Sequence, residues 1–178
     1  MRSTLAQGAA CDLECTITGG PLRLAYAAGL FEGEGSVAIT HRLGRNARPQ
    51  YMLVVAVKMG DPEPLAVLQS LVGGSVHYYK FESATELGRK PMHLWQVSAR
   101  IAGQFLEGIE PYLQSERVRG KVKLGIAFQA QKRNVGRVVP TEYLVRQEQF
   151  YGAMRLLNKR GLESLTIAER RAILEAVA

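Results

Sequence analysis

The residues best suited to chemistry in this 178-residue chain lie in the stretch LAYAAGLFEGEGSV, Leu24 to Val37. Glu32 and Glu34 stand between glycines at the end of an apolar run. The run predicts a buried helix, and the last turn of a helix carries the negative end of its dipole, where carboxylates are disfavoured. We therefore expect a cation beside these glutamates. Because carboxylates are hard oxygen ligands, a divalent ion such as Mg²⁺ suits them.

One side of the predicted helix is nearly free of side chains. Ala25, Gly29 and Gly33 recur every four residues, with Ala28 beside them, and small residues at this spacing allow another helix to approach closely. The sequence contains one such helix, so we expect its partner to be the same helix in a second subunit, related by a two-fold axis. The predicted interface comprises Ala25, Ala28, Gly29, Glu32 and Gly33.

Two-fold pairing would bring the glutamates of both copies together, and divalent cations would relieve their repulsion. Cations held in this way polarise a phosphate, activate water and stabilise a leaving oxygen, which is the chemistry of phosphodiester hydrolysis. The net charge of +7 favours a polyanionic partner, nucleic acid first.

Composition and processing signals indicate the class of protein. Hydrophobic residues make up 47% of the chain and charged residues 22%, which is typical of one soluble, well-buried domain at this length. No apolar run approaches the length of a membrane span, and the N-terminal residues are too polar for a signal peptide. We expect a cytoplasmic or organellar protein that is not secreted and has no membrane partner. Cys11 and Cys15 are interpreted as incidental thiols, since no nearby histidine completes a zinc site.

The pattern of apolar and turn-forming residues predicts an α+β fold. In order, the predicted elements are a helix at Leu22–Glu32, strands at 36–42 and 51–59, a helix from Asp61 to Val72, strands at 75–81 and 92–99, and helices from Arg100 onward. We expect one antiparallel sheet with helices on one face, the other face being left for solvent or a ligand. The predicted organisation is a loose segment over 1–21, a core over 22–137 and a helical extension over 138–178 packed on the core.

The residues AAGLFEGEG, 27–35, resemble the LAGLIDADG motif that names a family of homing endonucleases. The order of elements is similar to the αββαββα core of that family, with additional C-terminal helices here, and the resemblance spans roughly Leu22 to Gln131. It implies a saddle-shaped antiparallel sheet and a homodimer that binds a long pseudo-palindromic site in double-stranded DNA. It also implies cleavage of both strands with Mg²⁺ or another divalent cation.

The resemblance implies roles for particular residues. Glu34 matches the acidic position that ligates the metal, assisted by the carbonyl of Gly33, and Glu32 matches an earlier acidic position with a structural role. The family usually places a lysine after the turn that reads Pro-aromatic-Leu, but Glu116 stands there in this chain and Arg117 follows it. We assign the role of the lysine to Arg117. Glu116 also favours an alternative, a DNA-binding regulator or an intron-RNA-binding splicing cofactor that keeps the fold without cleavage.

Strand alternation predicts which side chains face the DNA. The outward residues are Ser36, Ala38, Thr40 and Arg42 on the first strand, Met52, Val54, Ala56 and Lys58 on the second, and Val76, Tyr78 and Lys80 on the third. Phosphate contacts are expected from Arg45, Arg48, Arg89 and Lys90. For any single residue, an ordinary solvated sheet face explains the pattern equally well. Trp95 and Val97 are expected to belong to the core rather than to a base-stacking surface.

A run of seven basic residues without an acidic one lies between Arg117 and Arg137. A charge run of this kind is usually a solvated face. If it followed the DNA backbone instead, the affinity for DNA would depend steeply on salt.

Overall fold

A computed structural model describes residues 20–44, 48–79, 91–132, 139–159 and 166–177. Several residues named in the sequence predictions lie outside these ranges. They are residues 1–19 with Cys11 and Cys15, and Arg45, Lys80, Arg89, Lys90, Arg133 and Arg137.

The described elements confirm the α+β prediction and the order αββαββα followed by further helices. They are α1 (Pro21–Glu34), β1 (Gly35–Leu43), β2 (Pro49–Met59), α2 (Glu63–Val72), β3 (Ser75–Tyr79), β4 (Met92–Ser98), α3 (Ala99–Ile109), a 3-10 turn (Glu110–Tyr112), α4 (Glu116–Ala130), α5 (Thr141–Asn158) and α6 (Ile167–Glu175).

The four strands form one antiparallel sheet in the order β1-β2-β4-β3. Val55 lies opposite Val97, and Val57 lies opposite Trp95, so the apolar positions of neighbouring strands share one face. That face is buried, because helices cover it. Its buried side chains are Val37, Ile39, Tyr51, Leu53, Val55, Val57, Trp95 and Val97.

Aromatic contacts fasten the helices to the buried face. The rings of Phe31 from α1 and Trp95 from β4 both pack edge-on against Phe105 from α3, with centroids 5.8 and 5.0 Å away. The indole N–H of Trp95 donates to the carbonyl of Gly73 at 2.9 Å, which satisfies its buried polar group. The prediction that Trp95 and Val97 belong to the core is confirmed.

The end of α1 differs from the prediction by one half-turn. The helix continues through Gly33 and ends at Glu34, and the N–H of Gly35 donates to the carbonyl of Phe31. A Cβ atom at Gly35 would lie 2.2 Å from Cδ2 of Phe31, so glycine at this position allows β1 to start directly against the helix. The metal-binding candidates therefore lie on the last turn of α1 itself.

The second helix begins two residues after Asp61, where the sequence predicts its start. α2 starts at Glu63, and the side chain of Asp61 accepts a hydrogen bond from the Glu63 N–H at 3.0 Å. It ends at Gly73 and Gly74, whose φ values of 74° and 97° favour glycine. The chain then turns directly into β3.

The C-terminal helices pack on the same hydrophobic core. Phe150 of α5 contacts Phe128 of α4 at 5.8 Å between ring centroids, and Met154 is buried. Asn158, the last residue of α5, donates to the carbonyl of Val37 at 2.7 Å and so occupies part of the free edge of β1. A capping box formed by Thr166 and Glu169 opens α6. Within the described ranges no helix is long and apolar enough to cross a membrane.

Candidate nucleic-acid interface and carboxylate site

Glu34 is an exposed carboxylate at the junction of α1 and β1. Gly33 beside it is exposed too, and a Cβ atom there would have no neighbour within 4 Å. No group of three or more His, Cys, Asp or Glu side chains suited to a metal occurs among the described residues. A metal ion bound by the Glu34 carboxylate and the Gly33 carbonyl would therefore need further ligands beyond these described acidic side chains, such as water, phosphate or a second copy.

Glu32 points in a different direction. Its Oε1 atom accepts hydrogen bonds from the backbone N–H groups of Gln114 at 2.7 Å and Ser115 at 2.6 Å. Glu32 was predicted at the interface with a second copy, but the structure turns its carboxylate toward its own chain. Since successive helical residues are rotated by about 100°, two glutamates two positions apart face different surroundings.

The bonds of Glu32 bring the start of α4 against the end of α1. Ser115 caps α4 by accepting the N–H of Val118, and Arg117 is exposed in the first turn. Glu116, which stands where the family places its lysine, pairs with Arg119 at 2.6 Å. Among the contacts of the described residues, Arg119 is engaged at this junction, whereas the side chain of Arg117 has no hydrogen bond or ion pair.

The exposed side of α1 is poor in side chains. Ala25, Gly29 and Gly33 are exposed, and a Cβ atom at Gly29 would also meet nothing within 4 Å. Two large apolar residues extend this surface, since Leu22 is 87% exposed and Tyr26 48% exposed. We call these five residues the α1 strip.

Ala28 does not belong to the α1 strip, contrary to the prediction. It is fully buried, together with Ala27 and Phe31, because residues three and four apart lie on the same side of a helix. Ala28 therefore packs in the core of its own chain.

The sheet face opposite the core is uncovered by any described helix, and we call it the open face. The open face is charged and exposed near the strand ends, at Arg42 and Lys58. It is apolar and half-buried in the middle, at Val54 and Ala56. None of its residues is acidic. Its members are Ser36, Ala38, Thr40, Arg42, Gln50, Met52, Val54, Ala56, Lys58, Ser75, His77, Tyr79, Met92, Leu94, Gln96 and Ser98.

The prediction for the third strand is wrong. Val76 lies opposite the buried Trp95, so Val76 and Tyr78 belong to the core side of the sheet, where the Tyr78 ring stacks on His93 at 5.2 Å. Tyr79 belongs to the open face instead, and the ammonium group of Lys58 lies 5.8 Å from its ring centroid. The sequence signal for this strand is weak, because residues 76–79 show no clear alternation of apolar and polar side chains.

Sequence reasoning also missed the open-face residues of β4. Trp95 and Val97 were assigned to the core, and strand alternation then places Leu94, Gln96 and Ser98 on the other face. This alternation is visible in the sequence itself, as MHLWQVS at residues 92–98.

The basic run from Arg117 is largely engaged within the chain. Arg119 donates to the carbonyl of Leu113 and pairs with Glu116, and Lys123 lies 3.8 Å from Glu110. Lys132 donates to the carbonyl of Tyr51, and burial lowers its pKa. These residues do not form one free basic stripe.

Comparisons with known proteins locate the fold among the homing endonucleases. No protein-family model and no curated protein matches the sequence. The structure is similar to the homing endonuclease I-CvuI in complex with its target, at 18% identity and a TM-score of 0.63, over 88% of this chain and 94% of that one. It is similar to the archaeal intron-encoded homing endonuclease I-Vdi141I complexed with DNA, at 15% identity and a TM-score of 0.61, over 88% and 96%. The chain has the LAGLIDADG homing-endonuclease fold.

The LAGLIDADG homing endonuclease I-SmaMI bound to cleaved DNA is a further neighbour, at 15% identity and a TM-score of 0.54. The match spans 89% of this chain and 50% of I-SmaMI, so one copy of this chain corresponds to half of that protein. The resemblance inferred from the motif and the element order is confirmed at the level of the fold. In this LAGLIDADG fold, the motif residues 27–35 form the last turns of α1 and its junction with β1.

Proposed function

We propose that this protein is a site-specific double-strand DNA endonuclease of the homing type, active as a homodimer with Mg²⁺ or another divalent cation. One observation carries the proposal. The exposed carboxylate of Glu34 lies where α1 passes into the open face of a sheet that presents no acidic side chain. The fold is shared with I-SmaMI bound to cleaved DNA and I-CvuI in complex with its target.

The open face supplies the groups that base recognition requires. The major groove admits a two-stranded β-ribbon, and base edges are distinguished there by hydrogen bonds and by contact with the thymine methyl group. Polar side chains such as Arg42, Gln50 and Gln96 are proposed to form hydrogen bonds with base edges. Ala38 and Val54 are proposed to contact thymine methyl groups. Arg48, with Arg45, Lys80, Arg89 and Lys90 outside the described ranges, is proposed to contact phosphates.

The α1 strip supports the homodimer. Its small residues leave room for close approach of a second helix, and its exposed Leu22 and Tyr26 would gain from burial. A two-fold contact through this strip places both open faces side by side, and such a dimer reads a site whose two halves are related by the same symmetry. It also brings the two Glu34 carboxylates toward each other.

The donor set at the end of α1 fits a hard divalent cation. The Glu34 carboxylate and the Gly33 carbonyl are oxygen donors on an exposed helix end. When bound, such an ion supplies a Lewis acid for the phosphate and an activated water. In this chain Glu34 would hold the ion, and Arg117 is proposed to stabilise the negative charge that develops on the phosphate.

Substitution of Glu34 by Gln tests this function. The resemblance to homing endonucleases implies that the target is the genomic sequence that the gene of this protein interrupts. The DNA is therefore a plasmid carrying the two flanks of that gene joined directly, called the rejoined sequence. Because an amide lacks the charge that holds the metal, we expect Glu34→Gln to reduce cleavage by at least about 100-fold while DNA affinity stays within about twofold. The exposed Glu107 of α3 gives a matched control, and Glu107→Gln should cleave like the wild type. Undiminished cleavage by Glu34→Gln would overturn the assignment.

The engagement of Glu116 favours a second candidate, a non-cleaving regulator or splicing cofactor. Glu116 takes the position of the expected lysine and pairs with Arg119, so no lysine stands in the first turn of α4. Tight binding of the rejoined DNA or of the intron RNA, without cleavage by the wild type at any divalent ion concentration, would decide for this candidate.

A further inference from the structure

Glu32 is the one residue of the α1 end that bonds directly to another element through its side chain among the described contacts. A single oxygen, Oε1, accepts two backbone N–H groups, from Gln114 at 2.7 Å and Ser115 at 2.6 Å. Bonds from N–H groups to a carboxylate are shorter and stronger than bonds between neutral groups. The half-buried Glu32 carboxylate therefore binds the end of α1 to the segment that precedes α4, and we call this contact the clamp.

The attachment point lies at the start of α4. Ser115 is the N-cap of this helix, and its hydroxyl accepts the N–H of Val118. The N–H groups ahead of a helix need partners of their own, and a negative charge beside a helix N-terminus is favourable because of the helix dipole. Glu32 provides both the partner and the charge.

From this geometry we infer that Glu32 is a positioning residue that holds the first turn of α4, which carries Arg117, in a fixed place relative to the end of α1, which carries Glu34. Glu32 lies two residues before Glu34 on α1, and Ser115 lies two residues before Arg117 on α4, so the clamp joins the two segments that carry the proposed charges. The inference rests on the proposed endonuclease function. It gives Glu32 a role in the reaction that involves neither the metal nor the DNA.

The segment on the α4 side is held in place as well. Arg119 donates to the carbonyl of Leu113 and pairs with Glu116, which braces residues 113–116 from within α4. Loss of the Glu32 bonds would therefore release this braced segment as a unit from α1. A misplacement of about 1 Å in a reacting assembly can reduce a rate by about 100-fold.

The experiment compares full-length wild type, Glu32→Ala, Glu32→Gln and the control Glu107→Gln. The first measurement is amide hydrogen exchange over residues 113–118 without DNA. We expect Glu32→Ala to raise exchange of the Gln114 and Ser115 amides by about tenfold or more, and Glu32→Gln, which keeps an acceptor oxygen, to raise it less. Unchanged exchange in Glu32→Ala overturns the clamp. If Glu32→Ala does not fold, Glu32→Met, which is similar in size and has no acceptor oxygen, decides by the same criterion, with wild-type exchange as the contradicting result.

The second measurement is the single-turnover cleavage rate constant at saturating protein, with DNA affinity and Mg²⁺ dependence measured in parallel. For Glu32→Ala we expect a rate about 10- to 100-fold below wild type, with DNA affinity and half-saturating Mg²⁺ within about twofold. In an Arg117→Ala background, Glu32→Ala should cause no further loss, because both changes remove the same contribution.

Several results would overturn the positioning role. They are a wild-type rate despite faster exchange, a full additional loss in the Arg117→Ala background, or a rise in half-saturating Mg²⁺, which would make Glu32 a metal ligand. Failure of the proposed function is distinguishable from these, because the wild type itself would then leave the DNA uncut while the exchange measurement still tests the clamp.

Discussion

At the scale of single residues, two glutamates of the same motif have different surroundings. Glu32 accepts hydrogen bonds from the N-terminal segment of α4, whereas Glu34 is exposed at the start of the sheet. The resemblance implied a structural role for Glu32, and the structure names its partners. The metal-binding role of Glu34 stays a prediction, tested by Glu34→Gln.

Tyr51 offers a residue-scale prediction about pH. Its hydroxyl donates to the carboxylate of Glu148, and burial, followed by Glu148, raises its pKa from 10.0 to about 12. A raised folded-state pKa means that the stabilisation is fully present below pH 10 and is lost as the pH rises toward 12. Tyr51→Phe should therefore be less stable than wild type at pH 8, by about 1 kcal/mol.

The free energy of unfolding, measured with urea from pH 8 to 12, checks this prediction. The difference between wild type and Tyr51→Phe should shrink between pH 10 and 12, since the titration of other groups is common to both proteins. A difference that stays constant over this range would contradict the Tyr51–Glu148 contact.

At the scale of elements, the glycines of the chain separate into two kinds. A Cβ atom at Gly35 would lie 2.2 Å from the Phe31 ring, whereas one at Gly152 in α5 would meet nothing within 4 Å. Gly35→Ala should therefore reduce the free energy of unfolding by about 1–3 kcal/mol through overpacking. Gly152→Ala should raise it by about 0.5–1 kcal/mol, because alanine is favoured over glycine inside a helix. Thermal or urea unfolding measures both, and equal effects would contradict the tight junction of α1 and β1.

Two adjacent tyrosines test which sheet face binds DNA. Tyr79 is on the open face beside Lys58, and Tyr78 is on the opposite side of the sheet. Their exposure is similar, 45% for Tyr79 and 59% for Tyr78. We expect Tyr79→Ala to raise the dissociation constant for the target by about fivefold or more, through loss of about 1 kcal/mol of contact. Tyr78→Ala, the matched control, should change it by less than about twofold. A larger effect from Tyr78→Ala, measured by fluorescence anisotropy, would place the DNA elsewhere.

The elements were predictable where a local signal determines them. The glycine pair ending α2, the capping box of α6 and the period of Leu65, Leu68 and Leu71 are local features, and the structure agrees with each. The facing of β3 was not predictable in this way, because both sides of the strand carry polar or aromatic residues and register depends on pairing with β4.

The candidate site was predictable only where it depends on residues that are close together in the sequence. The motif placed Glu34 and Gly33 at the end of α1, which depends on neighbouring residues alone. The bonds of Glu32 join residues 82 and 83 positions apart, and no sequence spacing encodes them. Ala28 was misplaced because the small-residue pattern does not distinguish a stripe that faces the core from one that faces outward.

At the level of the whole molecule, the proposed homodimer depends on contact through the α1 strip. Leu22, Ala25, Tyr26, Gly29 and Gly33 are exposed on the side of α1 away from the core. The match to I-SmaMI spans half of that protein, as expected if two copies of this chain form the equivalent assembly. A dimer through this strip has one Glu34 for each DNA strand.

Mixed dimers provide a decisive test of a homodimer that contributes one Glu34 to each DNA strand. Differently tagged wild-type and Glu34→Gln chains are co-expressed, and dimers that contain one of each are isolated through both tags. Incubated with Mg²⁺ and a supercoiled plasmid carrying the rejoined sequence, these dimers should nick one strand and produce open circles, whereas wild-type dimers produce linear DNA. Linear DNA from the mixed dimers, or failure of the two tags to purify together, would contradict the account.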